Sequence, residues 1–239
     1  GLGASHTAVA YDGIIESNMQ TGQIDLGRIS TFQVNSIRLV NGTDNNLLQP
    51  AILSSSATTL NVESSKPIFT GNRYSINSSL RYGSFGTASA MLALSNRLSE
   101  KWASTLSAEW NESEGNYPYT QQNGNMSEVV KRENSDTKRI KTDIALMADN
   151  TILGNITIRG YMHSSQQGLP TNILYNPVTS ERTWNNDYFF QGQIKKNLTE
   201  RSTLLVVGKY SYNHSRYLNT DVNNSLGVTD NKYIQQQSY

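Results

Sequence analysis

The sequence predicts a mainly β protein: antiparallel up-and-down strands of the transmembrane β-barrel type, enough for part of a barrel, behind a small α+β segment. Three observations carry this. Paired aromatic residues bracket alternating stretches, seven consecutive segments keep a period of two, and the links between them are alternately short and long.

Tyr74 and Tyr82 stand eight residues apart, as do Trp102 and Trp110. Eight steps of ~3.3 Å, tilted by ~40°, project to about 20 Å, which approaches the height of a bilayer's apolar band. Between the brackets, Ile76, Ser78 and Leu80 share a face with the tyrosines, and Ser75, Asn77, Ser79 and Arg81 take the other. In the second stretch Trp102, Leu106, Ala108 and Trp110 stand against Thr105, Ser107 and Glu109.

One such strand fits a soluble sheet with a buried face equally well, so repetition decides. Ala90, Leu92 and Leu94 oppose Ser89, Ser95 and Arg97, and Ile140, Ile144 and Leu146 oppose Lys141 and Asp143. Ile156, Ile158 and Met162 oppose Thr157, Arg159 and His163. Tyr188, Phe190 and Ile194 oppose Gln191, Gln193 and Lys195, while Leu204, Val206, Tyr210 and Tyr212 oppose Lys209, Ser211 and Asn213.

The links give an independent test. Those near 99–101, 149–154 and 197–202 are short, whereas 111–135, 164–186 and 218–231 are long and rich in Asn, Gly, Ser and Pro. Tight turns on one side and long loops on the other are the habit of bacterial barrels, and 83–87 is the one short link on the long-loop side.

Composition agrees. Only 36% of the chain is apolar, which is little for a soluble core of this length. Thirteen Tyr against five Phe suits rings that need a wet end. A formal charge of +1 gives no reason to expect nucleic acid, and the absence of Cys excludes disulfides and thiolate metal sites. No window approaches the ~20 apolar residues of a spanning helix. The chain opens on Gly1 with no signal segment and reads as a piece of a longer protein.

The first 65 residues lack lipid-face alternation. They contain strand-like pieces at 7–11, 34–40 and 57–62 and a helical turn around 26–32. Tyr11-Asp12-Gly13, Ile24-Asp25-Leu26 and the Val34 to Val40 strand resemble the second half of the plug domain of TonB-dependent outer-membrane receptors. In that family a strand ending in hydrophobic-Asp-Gly precedes an apical loop, an Asp-hydrophobic pair, a short helix and another strand. Where many members carry an Arg-Gly-Pro turn, this chain has Val40-Asn-Gly-Thr-Asp-Asn and Leu48-Gln-Pro-Ala, which resembles the cobalamin-receptor-like branch common in Bacteroidetes.

The resemblance implies a partial plug domain over residues 1–65 and, over 66–239, the first seven to eight strands of a barrel of about 22. It implies active uptake across the bacterial outer membrane of a scarce solute, cobalamin or a siderophore-like chelate, without enzymatic chemistry and without a cofactor. The implied partners are outer-membrane lipid, the small-molecule ligand, TonB through a segment absent from this chain, and a surface lipoprotein.

Candidate ligand contacts are the apical-loop residues Glu16, Ser17, Asn18, Met19, Gln20 and Thr21. Tyr117, Tyr119, Tyr175 and Trp184 in the outer loops are candidates to stack on a corrin or sugar ring. The plainer readings are an ordinary polar loop and ordinary packing between loops. Arg81, Glu109, Lys141, Asp143, Arg159, Lys195 and Lys209 are expected on the lumen side, as polar partners for a plug or as lining of a solute path.

No Gly-x-Ser-x-Gly elbow or Walker loop occurs, and His6, His163 and His214 lack metal-ligand spacing. Two other readings stay open. One is a complete eight-stranded outer-membrane barrel closed by residues 232–239; the other is a soluble β-rich carbohydrate-binding module.

Overall fold

The computed structural model describes residues 6–16, 24, 26–30, 33–42, 48–50, 53, 55–170, 179–221 and 227–238. Among them the chain is almost entirely β, in two principal sheets and one hairpin.

The smaller sheet holds β1 (Thr7–Tyr11), β2 (Ile14–Glu16), β3 (Val34–Asn41) and β4 (Thr58–Ser64) in the order β2-β1-β4-β3. Asp12 and Gly13 turn β1 into β2 with φ of 50° and 79°. Positive φ at both central residues is what a two-residue hairpin needs, and Asp-Gly supplies it cheaply. β1 and β4 run parallel, so Tyr11 ends beside Val62. Val9, Tyr11 and Val62 form a small core against Ile24, Ile29, Val34 and Leu60. The expected helical turn is a single 3-10 turn at Leu26–Arg28.

The larger sheet is an antiparallel meander of β5 (Tyr74–Gly83), β6 (Thr87–Arg97), β7 (Trp102–Ser113), β10 (Thr137–Thr151), β11 (Gly154–Gly168), β12 (Arg182–Thr199), β13 (Ser202–Leu218) and β14 (Asp230–Ser238). Each strand pairs with its predecessor in this series. The link between β7 and β10 is no mere loop: it carries the hairpin of β8 (Pro118–Asn123) and β9 (Met126–Lys131). Links 98–101, 152–153 and 200–201 are short, while 114–136, 169–181 and 219–229 are long, so the predicted parity holds. β5 and β14 are the two edges of an open sheet, which corrects the closed eight-stranded alternative.

The two faces of this sheet reverse the usual soluble arrangement. One hydrogen-bonded row runs Ile76, Leu94, Leu106, Ile144, Gly160, Phe190, Tyr210 across seven strands on the outer face. Ile76 is 68% exposed and Leu80, on the same face, 85%. Inner-face polar residues are the buried ones: Asp143 is 4%, Arg159 1% and Gln191 2% exposed. A strand buries alternate residues, and here the buried half is the polar half because the smaller sheet and its connecting segments press against it.

Candidate functional site

The site is the contact between the smaller sheet and the polar face of the larger one. β1 carries Tyr11 toward β11, where the Tyr11 hydroxyl accepts a hydrogen bond from Arg159 Nη1 at 2.7 Å. Arg159 also lies 3.2 Å from Asp143 Oδ2 on β10 and 3.5 Å from Asp12 Oδ2 in the Asp-Gly turn. Its guanidinium sits over the Tyr11 ring, 5.1 Å from the centroid. Burial pushes the Tyr11 hydroxyl well above its usual range, against the pull of Arg159, so it stays neutral. Asp12 in turn accepts from the Ser64 amide and hydroxyl, each at 2.8 Å, which joins β4 to the same cluster.

A second set of contacts lies on either side of the segment between β2 and the 3-10 turn. Before it, Glu16 at the end of β2 pairs with Lys209 on β13. After it, Arg28 pairs with Asp187 on β12 at 3.1 Å, and Asp187 also holds His163 Nδ1 at 2.9 Å. The Tyr161 hydroxyl donates to the Arg28 carbonyl at 2.5 Å. Tyr161 stacks on Phe189, with ring centroids 4.8 Å apart, and Lys209 lies over the Phe189 ring. Ser30 donates to Glu109 at 2.8 Å and Gln33 to Ser107 at 2.5 Å. A cavity of about 60 Å³ remains among Tyr11, Glu16, Arg28, Asp143 and Phe189.

The expected lumen charges divide. Glu109, Lys141, Asp143, Arg159 and Lys209 face the smaller sheet or its neighbours, with Lys141 and Glu109 3.4 Å apart, whereas Arg81 and Lys195 are exposed. Glu16 closes β2 and pairs with Lys209 in the larger sheet. Ser17, Asn18, Met19, Gln20, Thr21 and Tyr175 lie outside the described residues.

Tyr117 and Tyr119 belong to one ring cluster with Phe85, at centroid separations of 6.1 and 6.5 Å. Trp184 is not in a loop: β12 begins at Arg182, and the ring lies under the Arg216 guanidinium at 5.4 Å. Sequence reasoning missed Tyr11, Arg28, Ser30, Gln33, Tyr161 and Asp187. Strand parity could have found Tyr161 and Asp187, since each shares the inner face with Arg159 or Gln191. Nothing in an irregular segment marks Arg28 beforehand.

Above this contact the roots of the long links are knitted together. Asn134 Nδ2 donates to the carbonyls of Leu169 and Glu181 at 3.3 and 2.7 Å, and Arg182 grips Asp136 with two bonds of 3.0 and 2.6 Å. Asp221 accepts from the Ser180 amide and the Thr179 hydroxyl. Those bonds, with Ser180 foremost, hold its carboxyl below the usual range.

No protein-family model matches the chain, and no curated protein matches it in sequence. Its fold does match solved structures. The siderophore receptor PiuA from Acinetobacter baumannii superposes with a TM-score of 0.61 at 13% identity, over 98% of this chain and 34% of that one. The siderophore receptor PirA from the same organism gives 0.56 at 14%, over 100% and 36%. The ferric enterobactin receptor PfeA gives 0.57 at 13%, over 99% and 38%. The chain therefore spans about a third of the length of the structures it matches. It has the fold of part of such a receptor: a run of antiparallel barrel-type strands with a small globular element against their inner face. None of the three is named for cobalamin.

Proposed function

We propose that the chain is the later plug portion (1–65) and the first barrel strands (66–239) of a TonB-dependent outer-membrane receptor that takes up a scarce solute, cobalamin or a siderophore-like chelate. The observation that carries this is the reversed sheet. Exposed apolar rows suit hydrocarbon, and a buried polar face suits a plug that must be held yet movable. A large unpartnered apolar surface of this kind is unfavourable in water, which disfavours the soluble carbohydrate module.

In this reading the segment from Ser17 to Thr21, with Tyr117, Tyr119 and Tyr175, meets the solute. Glu16, tied to Lys209, and Trp184, beneath Arg216, hold their surroundings in place. Ligand bound at the apex loosens the bracketing ion pairs, and TonB, working through a segment absent from this chain, moves the plug. A surface lipoprotein covering the outer loops is compatible with it.

The test is made on the full-length protein containing this segment. Cell fractionation should place it in the outer membrane, resistant to carbonate washing, and accumulation of radiolabelled cobalamin or ferric siderophore should stop on adding a protonophore. Recovery in the soluble fraction without detergent would sink the proposal.

A further inference from the structure

One cross-strand row of the inner face alternates in charge where the smaller sheet's connecting segment meets it. It runs Glu109, Lys141, His163, Asp187 and Asn213 across β7, β10, β11, β12 and β13. Lys141 lies 3.4 Å from Glu109, and His163 Nδ1 lies 2.9 Å from Asp187 Oδ2. The connecting segment reaches both carboxylates: the Ser30 hydroxyl donates to Glu109, and Arg28 Nη1 lies 3.1 Å from Asp187 Oδ1. Asp187 therefore has two claimants, an imidazole on the neighbouring strand and a guanidinium on the 3-10 turn.

Among the described residues, the titratable and charged groups around His163 can be counted. Directly across from it stand Lys141 on β10 and Asp187 on β12, and diagonal to it on β10 are Arg139 and Asp143. Tyr161 shares its face of β11, Arg28 reaches it through Asp187, Asp143 is matched by Arg159, and Glu16 by Lys209. While the ring is neutral, Lys141 balances Glu109 and Arg28 balances Asp187. A proton on the ring sets three cations, Lys141, His163 and Arg28, against those two carboxylates, and Arg139 adds to the excess. His163 is 3% and Lys141 7% exposed, so water screens little of it, and an uncompensated buried charge is costly. Lys141, His163 and Asp187 are fixed by the strand ladder, whereas Arg28 hangs from a single 3-10 turn with 22% of its side chain exposed, so it is the cation that leaves most easily. We propose that protonation of His163 releases Arg28 from Asp187, so that the connecting segment is held fully while the ring is neutral and loosens in acid. Histidine is the side chain that ordinarily changes charge between about pH 5 and 8. The latch belongs to the two sheets; its use, a plug freed more readily in acidic surroundings, rests on the receptor reading.

The experiment is hydrogen exchange read by mass spectrometry on the full-length protein in outer-membrane vesicles, at about pH 7.5 and about pH 5, the two ends of the histidine range. The reporter is the Ile29 amide, which donates to the Leu26 carbonyl at 3.0 Å within the 3-10 turn. Its protection, corrected for the intrinsic pH dependence of exchange, should fall about tenfold in acid, a modest coupling between a proton and a docked side chain. His163→Asn keeps an N–H for Asp187 and cannot take up a charge, so its protection should be equal at both pH values. His163→Gln serves the same purpose if the first variant fails to reach the membrane. Arg28→Ala should show the low, acid-type protection at both.

Protection that is unchanged or rises in acid would overturn the proposal, because the imidazolium would then share Asp187 with Arg28 instead of displacing it. A fall that survives in the His163 variants would overturn it too, by assigning the proton to Glu16, Asp143 or Asp187, as would an Arg28→Ala variant that still responds to pH. Each of those results, obtained on protein located in the outer membrane, leaves the receptor reading standing. Recovery in the soluble fraction removes that reading alone, since the exchange of Ile29 can be measured there in the same way.

Discussion

Arg159 shows how a single residue can hold two sheets together. At 1% exposure it meets two carboxylates and a phenol hydroxyl, and losing it leaves Asp143 buried without its counter-charge. Arg159→Ala should therefore lower unfolding stability by about 3–5 kcal/mol in urea titrations of the refolded full-length protein. Arg159→Met combined with Asp143→Leu should recover most of that loss, because the deeply buried Asp143 charge goes with its partner while Asp12 keeps its two bonds from Ser64. A double variant as weak as the single one would refute this reading of the cluster. Asp221 gives a pH signature at the same scale. Its carboxyl is depressed in the folded state, so its stabilisation is present above the ordinary aspartate range near ~3.9 and is lost as pH falls through the lower folded value. The protection of the Ser180 amide against exchange, corrected for the intrinsic pH dependence of exchange, should fall below that range, and Asp221→Asn should remove that fall. Parity along the strands revealed Asp143 and Arg159 as inner-face residues; their partner Tyr11 was hidden, because 148 residues separate it from Arg159 and no periodicity connects them.

At the level of strands, the outer rows make a prediction about depth. Arg at Leu106 or Val206, both on the apolar face, should cost about 2–4 kcal/mol in refolding from urea into lipid vesicles, and Arg at Thr105, on the opposite face, far less. Equal losses on both faces would contradict a lipid contact for Leu106. Ser211 is a poorer control than alternation alone implies: it is only 8% exposed and lines the same cavity as Tyr11 where the smaller sheet meets the larger one, so Arg there has no room. The long strands were legible because alternation kept up over seven to ten residues leaves little room for another period. β2 was not, since Ile14-Ile15-Glu16 is too short to alternate. The β8–β9 hairpin was missed although its turn holds Gly124 at a φ of 62°, because polar residues occupy both of its faces and give no apolar stripe to follow.

For the molecule as a whole, link lengths correctly foretold an up-and-down meander, while the seating of the small sheet against it could not be read from either part alone. It depends on ion pairs and hydrogen bonds between distant segments, such as Glu16 with Lys209 and Ser30 with Glu109. The parallel pairing of β1 with β4 has a mechanical consequence. A load entering before Thr7 and resisted beyond Ser64, where the chain continues into the wall and Lys66 grips Asp149 at 2.9 Å, reaches the two strands at opposite ends. All five pairs from Thr7 with Thr58 to Tyr11 with Val62 are then strained in shear at once, instead of unzipping one by one. Single-molecule extension between tethers at residues 6 and 66 should give one abrupt rupture, and a gradual low-force staircase would count against it. Tension would thus travel through this pair as through a taut splice, reaching the wall before the smaller sheet comes apart.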